Sequence, residues 1–170
     1  IFRGIAEGLD AVMVNPSVVF GPGRRTENTS LIVAAVQSRR VVIYPAGGIS
    51  VVDVDDVAAG HILAWKRGRS GERYILASEN LSWIEVLSTL AATFDVPPPR
   101  WRVHPAAAIA LGATIEMWFR ILGRSPVFSR ALARTNNRNW AVSNEKAVRE
   151  LGCRFRSFSE TVRRVALAFS

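Results

Sequence analysis

Ala11-Val12-Met13-Val14-Asn15-Pro16-Ser17-Val18-Val19-Phe20-Gly21-Pro22-Gly23 decides how this chain is read. The run Ala11 to Val14 has no polar alternation, the habit of a strand buried on both faces in a parallel sheet. Pro16 cannot donate to a ladder, so the strand is expected to end there. Two glycines and a second proline then turn the backbone sharply and open it to close approach. In open α/β sheets ligands bind in the loops at the carboxyl ends of strands. The stretch therefore reads as a strand that carries a loop to a binding crevice.

The 170 residues suit one domain with an ordinary core. A single cysteine, Cys153, allows no internal disulfide. No signal peptide opens the sequence, and the longest apolar stretch, Pro105 to Leu122, carries Glu116 and Arg120. A soluble, cytoplasmic protein is expected. Charge is unevenly placed. Residues 1–99 hold nine basic and ten acidic side chains, whereas residues 100–170 hold thirteen and four. A basic second half invites anionic partners. Arg130, Arg134 and Arg138 would share one helix face, but no nucleic-acid-binding signature accompanies them, so nucleic acid is a disfavoured partner.

The order of elements reads as alternating strands and helices. Ile1 to Gly8 is the end of a helix, and Ser30 opens another that runs to Arg40. Val41 to Tyr44 is a strand stopped by Pro45. Ser50 to His61 reads as a short strand running straight into a helix, with Asp56 as the expected N-cap. The neighbouring aspartates have no other ligand type at metal spacing, so no metal site is expected. His61, one turn into that helix, reads as a satisfied core histidine because no nucleophile is indicated for it to activate.

Arg73 to Ala77 is a strand, and Ser82-Trp83-Ile84-Glu85 is a capping box that opens a helix to about Phe94. Trp101 and Val103 alternate with arginines on a short strand. Pro105 starts a helix that runs to about Leu122, with Ala107, Leu111, Ile115, Trp118 and Leu122 on one face. A helix so apolar is buried or faces something greasy, and a membrane surface is the disfavoured version of the latter. Ser143 and Ser157 cap the last two helices, with Gly152 closing the first of them.

Three separated motifs resemble one family. Asn15-Pro16-Ser17 with Val19 and Gly21-Pro22-Gly23, preceded by Glu7-Gly8-Leu9-Asp10, resembles the post-catalytic segment of the extended short-chain dehydrogenase/reductases. These are the NAD(P)-dependent sugar epimerases, dehydratases and dihydroflavonol-reductase-like enzymes. Val54-Asp55-Asp56-Val57-Ala58 is similar to that family's strand-to-helix segment, and Leu151-Gly152, Phe155-Arg156 and Ser159 to Val162 to its C-terminus. Members acting on nucleotide sugars usually carry an arginine just before the strand, where this chain has Ile49 and Ser50. That departure, with Gly71 to Ala77, points to the dihydroflavonol-reductase-like branch, which includes hopanoid-associated epimerase-like proteins.

The resemblance implies the C-terminal part of a doubly wound Rossmann-type parallel sheet plus a mostly helical substrate lobe. The expected division is residues 1–76 for the sheet and 77–170 for the lobe. It implies NAD or NADP as cofactor, with Pro16, Ser17, Val18 and Val19 on the nicotinamide side. Asn15, Phe20, Gly21, Arg24, Arg25 and Ser50 would face a small-molecule substrate. Arg24 and Arg25 can hold a phosphate or carboxylate, or can be exposed turn arginines.

The family's Gly-x-x-Gly-x-x-Gly turn for the cofactor pyrophosphate is absent from these 170 residues. So is its Tyr-x-x-x-Lys, whose tyrosine transfers the proton: Gly48 follows Tyr44 at that spacing, and Ser78 follows Tyr74. No catalytic residue is therefore assigned, and the chain is expected to be inactive alone. Its open sheet edge predicts a homo-oligomer or pairing with a missing N-terminal half. A stand-alone binding module is the alternative reading.

Overall fold

The computed structural model describes residues 1–22, 28–124 and 129–169. The chain packs as two compact units. The first comprises residues 1–32, 50–80 and 141–170, and the second residues 33–49 and 81–140. This differs from a single division at residue 76. Residues 33–49 join the second unit, and the last thirty residues return to the first.

The described residues form seven α-helices and seven strands, three pairs of which have a parallel register. They run α1 (Phe2–Ala6), β1 (Met13–Pro16), β2 (Val18–Phe20), α2 (Asn28–Gln37), β3 (Ile43–Tyr44), β4 (Gly48–Asp53) and α3 (Val54–Arg67). Next come β5 (Arg73–Leu76), β6 (Glu79–Ser82), α4 (Trp83–Thr93), β7 (Trp101–Arg102) and α5 (Pro105–Ile121). The last are α6 (Arg130–Asn136), a π-turn over Ala147–Leu151, and α7 (Phe158–Phe169). Parallel pairing needs long crossovers, and helices supply them. The mixed α/β class with a parallel, doubly wound arrangement is as expected.

In the first unit β1 pairs β5, with Met13 opposite Arg73 and Pro16 opposite Leu76. One residue later β2 pairs β4, with Val18 opposite Val51 and Phe20 opposite Asp53. Val18 to Phe20 is thus strand rather than the expected loop. The pairing with β5 runs through Pro16, the Ser17 N–H makes the next bond to Leu76, and the chain then finds a second partner in β4.

The core of this unit is Ala64, Tyr74, Leu76, Ala147, Leu151 and Cys153, with Val12, Val14, Val57 and Leu63 packed against it. Gly152 closes the π-turn at φ 75°, a left-handed position that glycine takes without a Cβ clash.

Two sequence expectations are corrected in this unit. The cap of α3 is Asp53, whose carboxylate accepts the Asp55 N–H at 2.8 Å. The expected cap, Asp56, lies inside the first turn and is buried. β4 ends and α3 begins three residues earlier than a cap at Asp56 would need, so Asp53 meets the first free N–H groups instead. His61 is exposed, not core, and its Nδ1 lies 2.8 Å from the Val57 carbonyl one turn back.

In the second unit β3 and β7 pair in parallel, with Ile43 opposite Trp101. The capping box of α4 forms as read. Ser82 Oγ accepts the Glu85 N–H, and Glu85 Oε2 accepts the Ser82 N–H at 2.7 Å. Val86, Leu87, Leu90 and Ala91 of that helix are buried.

Helices α5 and α6 pack closely where α5 carries Gly112. A Cβ built there would lie 2.8 Å from the Arg130 nitrogen and 2.8 Å from the Ser129 carbonyl carbon. Glu116 Oε1 accepts the Arg130 N–H at 3.0 Å, tying the same junction. Among the described residues no helix is long and apolar enough to cross a membrane.

Candidate functional site

The site grows from the junction between β1 and β2. Asn15 and Pro16 are exposed, and Ser17 and Val19 are half-buried. The Ser17 N–H donates to the Leu76 carbonyl at 2.9 Å, continuing the β5 ladder past the proline. Its hydroxyl is different: Ser17 Oγ is buried and has no hydrogen-bond partner among the described residues. A buried hydroxyl without a partner is costly and marks a place where a ligand or water belongs.

The other expected site residues fall in several environments. Val18 is 36% exposed, whereas Phe20 is buried, its ring edge-on to Phe158 at 5.0 Å between centroids. A Cβ at Gly21 would lie 2.2 Å from Val54 Cγ1, so glycine is needed for the turn to pass the start of α3. Ser50 is buried and bonds Asn80 Oδ1, while its Oγ accepts the Val142 N–H at 3.2 Å. Arg24 and Arg25 lie outside the described residues.

Behind this junction stands a charge cluster that the sequence reading did not assemble. Asp53, at the end of β4, is buried. Arg164 Nη1 donates to its Oδ2 at 2.9 Å, and Arg156 Nη1 to its Oδ1 at 3.0 Å. Arg156 Nη1 also lies 3.1 Å from Asp56 Oδ1, and Arg164 pairs with Asp55.

Burial pushes the Asp53 carboxyl up. The Asp55 N–H, a Thr161 hydrogen bond, Arg164 and Arg156 outweigh that and hold it below the ordinary carboxylate range. Every acid has a cation or an N–H, so the arrangement is a structural clamp joining the start of α3 to α7. The partners of Arg156 and Arg164 lie about a hundred residues away in sequence. No group of His, Cys, Asp and Glu suited to a metal occurs among the described residues.

The second unit holds an apolar cavity of about 220 Å³. Ile43, Tyr44 and Pro45 form one wall, and Val103, Ala108 and Leu111 are among the others.

No family model matches the chain. It is 34% identical over 151 residues to a protein of Synechocystis sp. that carries the name dihydroflavonol 4-reductase, covering 86% of this chain and 44% of that one. Its fold is similar to that of a nucleoside-diphosphate-sugar epimerase from Pseudomonas aeruginosa, with a TM-score of 0.77 and 26% identity. That match covers 98% of this chain and 50% of the epimerase.

A dTDP-glucose 4,6-dehydratase double mutant from Streptomyces venezuelae, solved with NAD bound, shares the fold at a TM-score of 0.67 and 17% identity. It covers 99% of this chain and 46% of that one. The chain thus spans about half the length of the relatives it matches. Sequence and fold together place it among the extended short-chain dehydrogenase/reductases, the NAD-dependent epimerase/dehydratase family. Within that family it resembles the C-terminal portion of the dihydroflavonol-reductase-like proteins.

Proposed function

We propose that these 170 residues are the substrate-binding part of an NAD(P)-dependent reductase or epimerase and supply one wall of its hydride-transfer site. The observation that carries this reading is Ser17 Oγ, buried and unpartnered at the carboxyl end of a parallel strand. The residues there fit one edge of a nicotinamide. A hydroxyl can bond the carboxamide, and Pro16 and Val18 offer apolar surface to the ring. Bound there, the cofactor would supply hydride chemistry. The chain's own part is to orient the ring and exclude water from one side. Asn15 and the turn at Gly21 stand next to this position and are assigned to the substrate, with Arg24 and Arg25 beyond them in sequence.

The apolar cavity of the second unit supports a substrate with a compact hydrophobic group. Its 220 Å³ exceeds the roughly 150 Å³ of an engineered cavity that accepts benzene. A hydride-transfer site needs cofactor, proton donor and substrate held together. The chain contains neither the glycine turn nor the Tyr-x-x-x-Lys pair.

The test is an NADPH titration followed by energy transfer from tryptophan, run on two proteins. For this chain alone the expected signal is flat. For a chimera with the N-terminal segment of the Synechocystis relative placed ahead of Ile1, it is expected to saturate. Ser17→Ala should then weaken the chimera about fivefold, the worth of one hydrogen bond. Saturable binding by the chain alone would overturn the one-wall reading. Equal affinity of the chimera with and without the Ser17 hydroxyl would remove Ser17 from the site.

A further inference from the structure

We propose that the packed pair of helices α5 and α6 in the second unit is a docking surface for an anionic lipid bilayer. Helix α5 spans seventeen residues, about 25 Å at the usual rise. Its inward face is made of its smallest residues, since Ala108 and Gly112 are the buried positions. Ile109, Ile115 and Phe119 are half-buried and Leu111 lines the cavity, while the remaining large apolar side chains point the other way. Met117, Trp118, Ile121 and Leu122 are 59% to 73% exposed. Spacings of three and four put them on one stripe. An ordinary surface helix turns such a stripe inward. Scattered exposed leucines need no explanation, but a contiguous apolar stripe does.

What covers the stripe is indicated by the charge around it. Residues 33–49 and 81–140 carry nine arginines and three acids, a net of +6. Arg120 and Arg124 lie at the end of α5, and Arg130, Arg134 and Arg138 follow on and just after α6; all five are exposed. None of them makes an ion pair with the described residues.

A second copy of the unit would bring +6 against +6 and is repelled. A nucleic acid would satisfy the arginines and leave the Trp118, Ile121 and Leu122 surface in water. An anionic bilayer meets both. Its headgroups face the guanidiniums, whose stems lie along apolar surface, while the stripe enters the acyl boundary with Trp118 at the interface. The helix would lie on the membrane rather than cross it, which agrees with the lack of a spanning helix among the described residues.

The experiment is co-sedimentation of the 170-residue chain with phosphatidylcholine vesicles, with and without phosphatidylserine. Tryptophan emission is read on the same samples. Binding and a blue shift are expected only with phosphatidylserine, and should weaken as salt is raised. The pair Trp118→Ser and Ile121→Ser should reduce binding about tenfold or more, as should Arg120→Gln with Arg124→Gln. Because these side chains are exposed, circular dichroism melts of both variants should match the parent.

Failure to bind phosphatidylserine vesicles, or undiminished binding by the serine variant, overturns the proposal. So does a dimer in sedimentation that Trp118→Ser dissolves. Salt-sensitive binding to duplex DNA without binding to vesicles would reassign the arginines and overturn it as well.

Discussion

The two units handle charge and apolar surface in opposite ways. The first brings acids and arginines together: Asp53 and Asp56 are buried, and Arg156 and Arg164 are pulled in against them. Its core is built on large side chains such as Tyr74 and Leu76, which are fully buried, while Trp65 and Leu167 stand outside it. The second leaves its arginines in solvent and builds its α5–α6 contact from Gly112, Ala108 and Ala133, with large apolar residues outside. The first unit, with thirteen basic and eleven acidic side chains, thus forms a clamp, and the second, with nine and three, an open face. A buried acid needs its partners to stay folded, whereas an exposed tryptophan is free for a ligand or surface.

The strongest way to break this contrast is Asp53→Ala. It removes the cap of α3 and strands two arginines beside Asp55 and Asp56. Losing one side of a buried ion pair should cost about 3 kcal/mol or more, read from the urea midpoint at constant m-value. A loss below about 1 kcal/mol would reduce the cluster to an ordinary helix cap. Next is Gly112→Ala, which drives a methyl into the α6 backbone and should cost about 2 kcal/mol. An unchanged melting temperature would mean that α5 and α6 are not held as tightly as described.

Acid should act on the first unit through the depressed carboxylates. A folded value below the unfolded one stabilises at pH above the unfolded range, about 4, and that contribution is lost as pH falls through the folded value. Asp53 is lowered in this sense, its raised cost of burial outweighed by the Asp55 N–H, Thr161 and the two arginines. Glu150 is lowered to about 2, mainly by its hydrogen bond from Arg69. Melting temperature should therefore be level near neutrality and fall between about pH 4 and about pH 2. Asp53→Asn should flatten part of that fall. The smallest effect belongs to the open face: Trp118→Ser should change stability by no more than about 0.5 kcal/mol. A larger loss would show that the α5 stripe is packed and would count against a docking role.

Local signals were the legible ones. The Ser82–Glu85 box, the Gly152 stop and the proline start of α5 each depend on residues within a turn of one another, and each formed as read. The clamp was illegible because its partners are about a hundred residues apart. Strand β6 escaped notice because Glu79-Asn80-Leu81-Ser82 is polar, and only a place beside β4 makes it a strand. The N-cap was set three residues late for a related reason. A strand running directly into a helix leaves several aspartates as candidates until the backbone bends at one of them.

At the candidate site, the sequence singles out the Asn15 to Gly21 segment and divides it between cofactor and substrate, but does not tell open side chains from buried ones. In the fold Asn15 and Pro16 are open, Ser17 is half-buried with an unpartnered hydroxyl, and Phe20 is core. Composition and motif spacing by themselves determined the parallel α/β class, the family resemblance and the excess of arginine in the second half. Those properties follow from residue type and short-range order. Only the tertiary structure decided which aspartate caps α3, which serine hydroxyl is left without a partner and which side of α5 faces outward. Each of these depends on what a distant segment places against the residue, and burial is a property of that neighbour as much as of the residue itself.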